Sequence, residues 1–393
     1  MADGKVVIVD ALRTPVGRLR GTLAGIRADH LGALVLEALR QRSDLDAASV
    51  DDVIFGCVTQ IGEQSANIAR TSVLSAGWPE TVPGLTIDRK CGSAEVAVHL
   101  GAAMIGSGAA DIVLAGGAEN MSRVPIGSNR AIHGLPFGFA LEDRFEMVSQ
   151  GEAAERIAEK WNVGRSELDA FSLESHRRAA NAAASGWFDR EIVPVDVGQW
   201  QEKNCELTET VFRQDETIRR DTSMEKLTTL KPSFRSDGQV TAGNSSQIAD
   251  GAAALLLMSE NGARSRGLRP RARIVSTVTV GSDPTLMLTG PVAATRMVLD
   301  KAGLALGDID LFEVNEAFAP VPLMWLQETG VDPAKMNVNG GAIALGHPLG
   351  ASGARLMTTL LHELERRQAR YGLQTMCCAG GLATATIIEH SIR

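Results

Sequence analysis

A cysteine and a histidine each lie in a turn between a strand-like run and a helix-like run. Cys91 opens an Ala-rich helix, where the positive end of the helix dipole would lower the pKa of its thiol and favour the thiolate. His347 lies within residues 339–355, a run of Gly, Ala and Ser that lets the backbone approach a ligand closely. Taken alone, each residue also fits a structural role, since free cysteines are usually packing residues and Gly-rich turns are common. Together they predict a thiolate nucleophile and an imidazole that accepts its proton.

Two further segments end strand-like runs in the second half of the chain. Cys377 and Cys378 precede Ala-Gly-Gly, and Asn315 follows the strand-like run 311–314. Open α/β sheets bind ligands at the carboxyl ends of their strands, although Asn315 would also serve as a helix N-cap. A second thiol and an amide would add another acid/base and a hydrogen-bond donor. The set predicts covalent acyl transfer, and it lacks the carboxylate pair of a glycosidase and a P-loop.

The elements that must position these residues form a repeat. Strand-like and helix-like runs alternate throughout, which predicts an α/β protein. Each half contains helix, strand, small-residue turn, helix and strand in the same order, with Cys91 and His347 in equivalent turns, so we expect these turns to meet. We place an N-terminal domain at 1–268 and a C-terminal domain at 269–393. A charge-rich, irregular segment at about 120–245 interrupts the first unit, and we interpret it as an inserted loop domain.

Composition narrows the function classes. The 393 residues are 44% hydrophobic and 22% charged with a formal net charge of −8, which gives no reason to expect a nucleic-acid or membrane-surface partner. No apolar run has the length of a transmembrane helix and no signal peptide is evident, so we expect a cytoplasmic protein. The 5 cysteines are an odd number, which without a secretory signal indicates reduced thiols, and no Cys/His pair has the spacing of a zinc site.

These motifs resemble those of the thiolase family, and the resemblance extends over essentially the whole chain. The segments that carry it are Cys91-Gly92-Ser93, Asn315-Glu316-Ala317-Phe318, the run from Gly340 to Pro348, and Cys-Cys-Ala-Gly-Gly from Cys377. The resemblance implies an α/β protein with the thiolase fold, a duplicated five-layer α/β/α/β/α core with an inserted loop domain.

The same resemblance implies a role for each catalytic residue. Cys91 would be the nucleophile that carries the acyl group as a thioester, and His347 would accept the proton of Cys91. Cys377 would be the second acid/base. Asn315 would hold a water that forms one oxyanion hole together with His347, and the backbone N–H groups of Cys91 and residue 379 would form the other.

Two positions depart from the family pattern. Ala379 stands where glycine is usual, so Cys378 remains an alternative to Cys377 as the second acid/base. Glu95 lies in the nucleophile helix where small or polar residues are usual. It would either alter the shape of the pocket or lie on the surface.

For coenzyme A (CoA), the resemblance implies contacts around the inserted domain and at Phe318. Ser246 and Ala242 lie in a run that resembles the family's pantetheine-binding loop, and Arg219 and Phe234 match positions that contact the nucleotide and the pantetheine. A guanidinium suits stacking on adenine or pairing with phosphate. CoA would be a substrate rather than a tightly bound cofactor, and the protein would be a homodimer or homotetramer.

The residues that line the pocket indicate which acyl group the protein accepts. Residues 149–152 lack the His-Met pair of short-chain biosynthetic thiolases, and with residues 246–248 they look more like actinobacterial thiolases of sterol degradation. The resemblance therefore implies a degradative 3-ketoacyl-CoA thiolase for a bulky or ring-derived acyl group. The alternatives are a biosynthetic acetoacetyl-CoA thiolase, a non-catalytic acyl-CoA or sterol-binding protein, and a redox protein that uses the adjacent cysteines.

Overall fold

The computed structural model describes residues 5–130, 132–200 and 211–390. The first part of the chain alternates strands with helices that carry apolar residues on the face turned to the sheet. Its elements are β1 (Val6–Arg13), β2 (Gly17–Arg18), α1 (Ala28–Arg42), β3 (Asp52–Gly56), α2 (Ile68–Ser75), β4 (Leu85–Ile87), α3 (Ser93–Ser107) and β5 (Ile112–Asn120).

A mostly helical segment follows β5, and the chain then returns to the sheet. Its elements are α4 (Phe139–Glu142), α5 (Gln150–Lys160), α6 (Arg165–Ala184), β6 (Val195–Asp196), α7 (Val197–Trp200), β7 (Val211–Phe212), α8 (Met224–Thr228) and the returning strand β8 (Ala249–Ser259). The start of α5 is set by a cap, because the Ser149 hydroxyl accepts the backbone N–H of Glu152 at 3.1 Å. A buried ion-pair cluster holds this segment to the core, since the Arg13 guanidinium pairs with Glu191 at 2.6 Å and with Asp215 at 2.7 Å.

The remaining elements repeat the arrangement of the first part. They are α9 (Glu260–Ser265), β9 (Ala272–Gly281), α10 (Gly290–Ala302), β10 (Leu311–Val314), α11 (Pro320–Thr329), α12 (Ala342–Leu345), α13 (Ser352–Arg367), β11 (Tyr371–Cys378) and β12 (Leu382–His390). Helix α9 begins directly after β8, because the Ser259 hydroxyl accepts the backbone N–H of Gly262 and caps the helix.

The strand pairing shows the duplication directly. In the first half β4, β3, β5, β8 and β1 are neighbours in that order, with parallel pairs up to β5 and antiparallel pairs after it. In the second half β10, β11, β12 and β9 are neighbours in that order, again with a parallel pair followed by antiparallel pairs. A parallel bridge from Phe312 to Met336 takes the place that the pair of β3 and β4 has in the first half. Among the described residues, the strands of the two halves pair between β1 and β9 at two positions, Val7 with Arg273 and Ile8 with Ala272.

Three apolar clusters separate the helices into layers. On β8, Leu256 and Met258 face a cluster shared with α1 and α2, whereas Leu255 and Leu257 face a second cluster shared with α3 and α13. The third cluster joins β12 to α10 and α11. Helices α3 and α13 therefore form a middle layer between the two halves of the continuous sheet, with further helices outside, which confirms the five-layer core. Within the described ranges, no helix combines the length and the apolar character that a bilayer span needs.

Candidate active site

Cys91 lies in a tight turn between the edge strand β4 and helix α3. The turn requires a left-handed residue, and Lys90 adopts this conformation with a φ of +52°. The Ser93 hydroxyl holds the turn in place, because it accepts the backbone N–H of Arg89 at 2.8 Å and donates to the carbonyl of Lys90 at 2.6 Å. The Cys91 thiol is nearly buried and lines the main cavity of the protein.

The expectation of a lowered pKa at Cys91 is wrong. Burial raises the pKa of the thiol to about 11, although the backbone N–H groups of Ala379 and Cys91 lower it. Helix α3 begins only at Ser93, so the thiol precedes the first helical residue. Lys90 contributes little positive potential because its ammonium pairs with Asp88 at 2.5 Å. The thiol is therefore protonated at neutral pH and needs a base.

His347 supplies a base whose tautomer is set by its neighbours. The Ser352 hydroxyl donates its only proton to the carbonyl of Pro348 at 2.8 Å, and His347 Nδ1 lies 2.6 Å from the same oxygen. Nδ1 must then carry the ring proton, which leaves the lone pair on Nε2. Nε2 is buried and has no hydrogen-bond partner in the part of the chain that the structure describes. Burial, helped by the charge of Arg355, lowers the pKa of His347 to about 3 and keeps the ring neutral.

The loop that carries His347 is held from two sides. The His347 backbone N–H donates to the carbonyl of Gln247 at 2.9 Å. The Glu316 carboxylate accepts hydrogen bonds from Ser175 at 2.7 Å, Asn337 at 2.9 Å and the backbone of Ile343 at 3.2 Å, and thereby anchors α12 before the loop. The sequence analysis assigned no role to Glu316 or to Ser352. Their positions inside the Asn-Glu-Ala-Phe and Gly/Ser-rich segments were the available signal.

The two adjacent cysteines of β11 point to opposite faces of the sheet. The Cys377 thiol is fully buried, and its pKa is raised by burial and by the nearby Cys91, while its own backbone N–H and the Asn315 side chain lower it. The Cys378 thiol packs behind Gly92, because a Cβ on that glycine would lie 2.7 Å from the sulfur. Both thiols are near Cys91. Cys377 also faces Asn315, whereas Cys378 faces Gly92.

Asn315 extends β10 rather than capping a helix. Its backbone N–H donates to the carbonyl of Thr375 at 3.1 Å, and the next helix, α11, begins only at Pro320. Both polar atoms of its buried amide lack a hydrogen-bond partner among the described residues. An amide in this state is available to a water or a ligand group.

A cavity of about 1250 Å³ opens in front of Cys91 and His347. Ser246, Phe234 and Phe318 line it, and the two phenyl rings meet edge to face with centroids 5.8 Å apart. Its outer wall comes largely from the segment after β5. Polar side chains such as Asn129, Arg130 and His133 line it together with the apolar side chains Ile126, Ile132, Leu135, Phe137, Met147 and Val148.

Two of the residues expected to contact CoA lie outside the cavity wall. Arg219 and Ala242 are exposed and are not part of the cavity wall. The backbone N–H of Arg219 donates to Nδ1 of His176 at 3.1 Å. Glu95, expected to shape the pocket or lie on the surface, does neither. It is fully buried and accepts hydrogen bonds from Thr384 and Thr386, each at 2.6 Å.

Comparison with known proteins gives the same fold and motifs over nearly the full length. Family models described as "Thiolase, N-terminal domain" and "Thiolase, C-terminal domain" match residues 6–261 and 268–390. Steroid 3-ketoacyl-CoA thiolase FadA6 of Mycobacterium tuberculosis is 51% identical over 97% of this chain and 93% of its own length. An acetyl-CoA acetyltransferase of Pseudomonas aeruginosa is 48% identical over 97% of this chain and 98% of its own.

A solved structure agrees with these relatives. The crystal structure of the Bacillus anthracis acetyl-CoA acetyltransferase superposes with a TM-score of 0.90 at 40% identity, and the match covers 99% of both chains. Because both family models match and together span nearly all of the sequence, this chain belongs to the thiolase family and is an acyltransferase.

Proposed function

We propose that this protein is a degradative 3-ketoacyl-CoA thiolase, which cleaves a 3-ketoacyl-CoA with free CoA to acetyl-CoA, or a similar product, and a shortened acyl-CoA. One observation carries the proposal. A histidine with a neutral ring, Nδ1 protonated and Nε2 unpartnered among described residues, lines the same cavity as a protonated cysteine, and a second thiol lies behind them.

In the first half-reaction Cys91 attacks the 3-keto carbonyl. Its proton moves to Nε2 of His347 as the bond from sulfur to carbon forms. Collapse of the tetrahedral adduct breaks the bond between C2 and C3, and the carbanion of acetyl-CoA takes a proton from Cys377. The products are acetyl-CoA, an acyl thioester on Cys91, a protonated His347 and a Cys377 thiolate.

In the second half-reaction CoA removes the acyl group. The Cys377 thiolate takes the proton of the CoA thiol, and the CoA sulfur attacks the thioester. Cys91 leaves and recovers its proton from His347, so every proton returns to its starting place. The pKa values support this order, because neither thiol is ionised at rest and each ionises only as a proton is accepted or delivered.

The negative charge that develops on the substrate oxygen during the reaction needs hydrogen-bond donors. The backbone N–H groups of Cys91 and Ala379 already face the Cys91 sulfur, which supports their role as one oxyanion hole. The unpartnered amide of Asn315 supports the second, in which it holds a water that acts together with His347. Alanine in place of glycine at 379 still supplies the N–H.

CoA would enter along the wall that carries Ser246, Phe234 and Phe318, with the pantetheine against the two phenyl rings. The exposed positions of Arg219 and Ala242 support a nucleotide that stays at the surface, outside the cavity. CoA would act as a co-substrate and no prosthetic group is needed. We further propose a cytoplasmic homodimer or homotetramer, as the sequence indicates.

The acyl group would be bulky and apolar. The cavity of about 1250 Å³ must also hold the pantetheine, but its wall offers Ile, Leu, Met, Phe and Val side chains that suit an apolar group larger than the two-carbon acyl group left by acetoacetyl-CoA. The name of the M. tuberculosis relative, which specifies a steroid 3-ketoacyl-CoA, supports a ring-bearing substrate.

The test is CoA-dependent cleavage of acetoacetyl-CoA beside a ring-bearing 3-ketoacyl-CoA, with wild type and Cys91→Ala. We expect wild type to have the higher kcat/KM on the larger substrate and the variant to be inactive on both. Turnover confined to acetoacetyl-CoA would favour the biosynthetic alternative. Binding of acyl-CoA without cleavage would favour a non-catalytic binding protein.

A further inference from the structure

Glu119 is a buried carboxylate near the site to which the proposed chemistry assigns no step. It lies near the end of β5 with no exposed surface. Burial raises its pKa, and the hydrogen bonds that it accepts lower it. A carboxylate in this position needs hydrogen-bond donors for both oxygens, because an unsatisfied buried charge is strongly unfavourable.

The structure provides four nitrogen donors among the described residues, in addition to the Cys57 thiol, which donates to Oε1 at 3.8 Å. Oε2 accepts the backbone N–H groups of Val58 and Gly350, both at 2.9 Å. Oε1 accepts the backbone N–H of Thr59 and the side-chain amide of Gln64, both at 3.0 Å. All four groups are donors, so the site is built for the ionised form of Glu119.

The donors belong to two parts of the active site that are far apart in sequence. Val58 and Thr59 follow β3 and line the cavity on the side of the first half. Gly350 belongs to the second half and lies three residues after His347, within the turn whose Pro348 carbonyl orients Ser352. One oxygen of Glu119 therefore joins the cavity wall of one half to the histidine loop of the other.

Close backbone packing makes this bridge possible. A Cβ on Gly117 would lie 2.0 Å from the carbonyl oxygen of Gly350, and a Cβ on Gly56 would lie 2.5 Å from the same oxygen. A Cβ on Gly350 would itself meet Oε2 of Glu119 at 2.7 Å. The three glycines let the loop sit directly on β3 and β5, where the carboxylate reaches its N–H.

We propose that Glu119 is a positioning residue for His347: through the N–H of Gly350 it holds the histidine loop against the wall that faces Cys91. The inference rests on the proposed role of His347 as the base for Cys91. Glu119 does not touch the reacting atoms. Its removal should therefore act on the activation of Cys91 only through the position of His347.

The test is the rate at which iodoacetamide alkylates Cys91, followed by mass spectrometry, in Glu119→Gln, His347→Ala and the double variant. The glutamine presents an amide NH₂ to backbone donors, so the loop should shift, and we expect alkylation to slow about tenfold. The double variant should react as slowly as His347→Ala alone, because a misplaced base and an absent base are equivalent.

A matched control is Glu155→Gln. Glu155 is also a buried carboxylate that accepts two backbone N–H groups, those of Gln239 and Val240, but it contacts neither Cys91 nor the His347 loop. The Glu155→Gln variant should have a lower melting temperature than wild type, but Cys91 should be alkylated at the wild-type rate. If Glu119→Gln does not fold, Glu119→Asp keeps the charge on a side chain one carbon shorter and should show the same pattern to a smaller extent.

The outcomes separate the two proposals. The positioning role is overturned if a folded Glu119 variant is alkylated at the wild-type rate. It is also overturned if adding Glu119→Gln to His347→Ala slows alkylation by the same factor as Glu119→Gln does in wild type. A wild-type rate in His347→Ala overturns the proposed base itself, and the positioning role with it, which is visible without any Glu119 variant.

Discussion

The sulfur of Cys378 lies behind the backbone of Gly92, so close that a Cβ on this glycine would approach it to 2.7 Å. Adjacent residues of a strand point to opposite faces, and Cys377 therefore turns toward Cys91 and Asn315. The arrangement distinguishes two cysteines that the sequence alone leaves as alternatives for the second acid/base.

The first prediction concerns these two thiols. Cys377→Ala should lower kcat for thiolysis at least about 100-fold, because the leaving carbanion loses its proton donor, whereas Cys378→Ala should stay within about threefold of wild type. Steady-state kinetics on one 3-ketoacyl-CoA would show this. Each variant should still be alkylated at Cys91, which serves as the control for folding. The reverse order of activities would assign the proton to Cys378.

The second prediction concerns the tautomer of His347. Ser352→Ala removes the oxygen that accepts the Nδ1 proton, so the ring loses both its orientation and its preferred tautomer. We expect kcat to fall about tenfold with little change in KM. Thr358→Val is the matched control, because Thr358 makes the same kind of bond to a carbonyl four residues earlier on α13 and does not touch His347. Equal losses in both variants would indicate a general effect on the helix.

The third prediction follows from the raised pKa of Cys91. A thiol with a pKa of about 11 beside a histidine with a pKa of about 3 is present as thiol and neutral imidazole across the neutral range. In His347→Ala, where no base takes the thiol proton, only the thiolate reacts, so the rate of alkylation should rise about tenfold per pH unit from pH 6 to pH 9, without a plateau. A plateau at neutral pH would show that the helix dipole does lower the pKa, as the sequence alone had indicated.

The fourth prediction concerns Glu95 and the stability of the fold. Burial raises the pKa of Glu95 to about 7, well above the ordinary value of a glutamate. The folded state thus keeps a proton that the unfolded chain releases, so the free energy of unfolding should fall as pH rises through this window and then level off. Relative to wild type, Glu95→Gln should gain stability between pH 4.5 and 7, by up to about 3 kcal/mol.

Chemical denaturation at several pH values would measure this difference. Glu260→Gln is the control, since Glu260 lies on the surface helix α9 and its pKa is lowered by its pairing with Arg264. Its variant should show no such gain in the same window. Parallel curves for wild type and Glu95→Gln would mean that Glu95 is ionised at all these pH values in the folded protein.

The sequence predicted what depends on local pattern. The strand ends, the nucleophile turn and the equivalence of the Cys91 and His347 turns follow from periodicity and from small residues, and both turns do line one cavity. The pKa of Cys91 was missed because the burial that raises it comes from the tertiary fold, and Ala379, whose N–H partly lowers it, is likewise far away in the chain. Likewise no local pattern joins Glu119 to Gly350, which are 231 residues apart.

The last prediction concerns how the cavity selects its acyl group. Ile132 and Leu135 line the outer wall and are nevertheless 52% and 81% exposed, so the far end of the cavity is an open apolar surface. A short acyl group would not reach it, whereas a ring-bearing one would cover it and gain the free energy of burying that surface. The double variant Ile132→Ser/Leu135→Ser should therefore lose about tenfold in kcat/KM on a ring-bearing substrate and nothing on acetoacetyl-CoA. Phe139→Ser controls for surface polarity, because Phe139 is 79% exposed in the same segment but is not part of the cavity wall. Equal losses on both substrates would mean that the segment supports the site as a whole and does not select the acyl group.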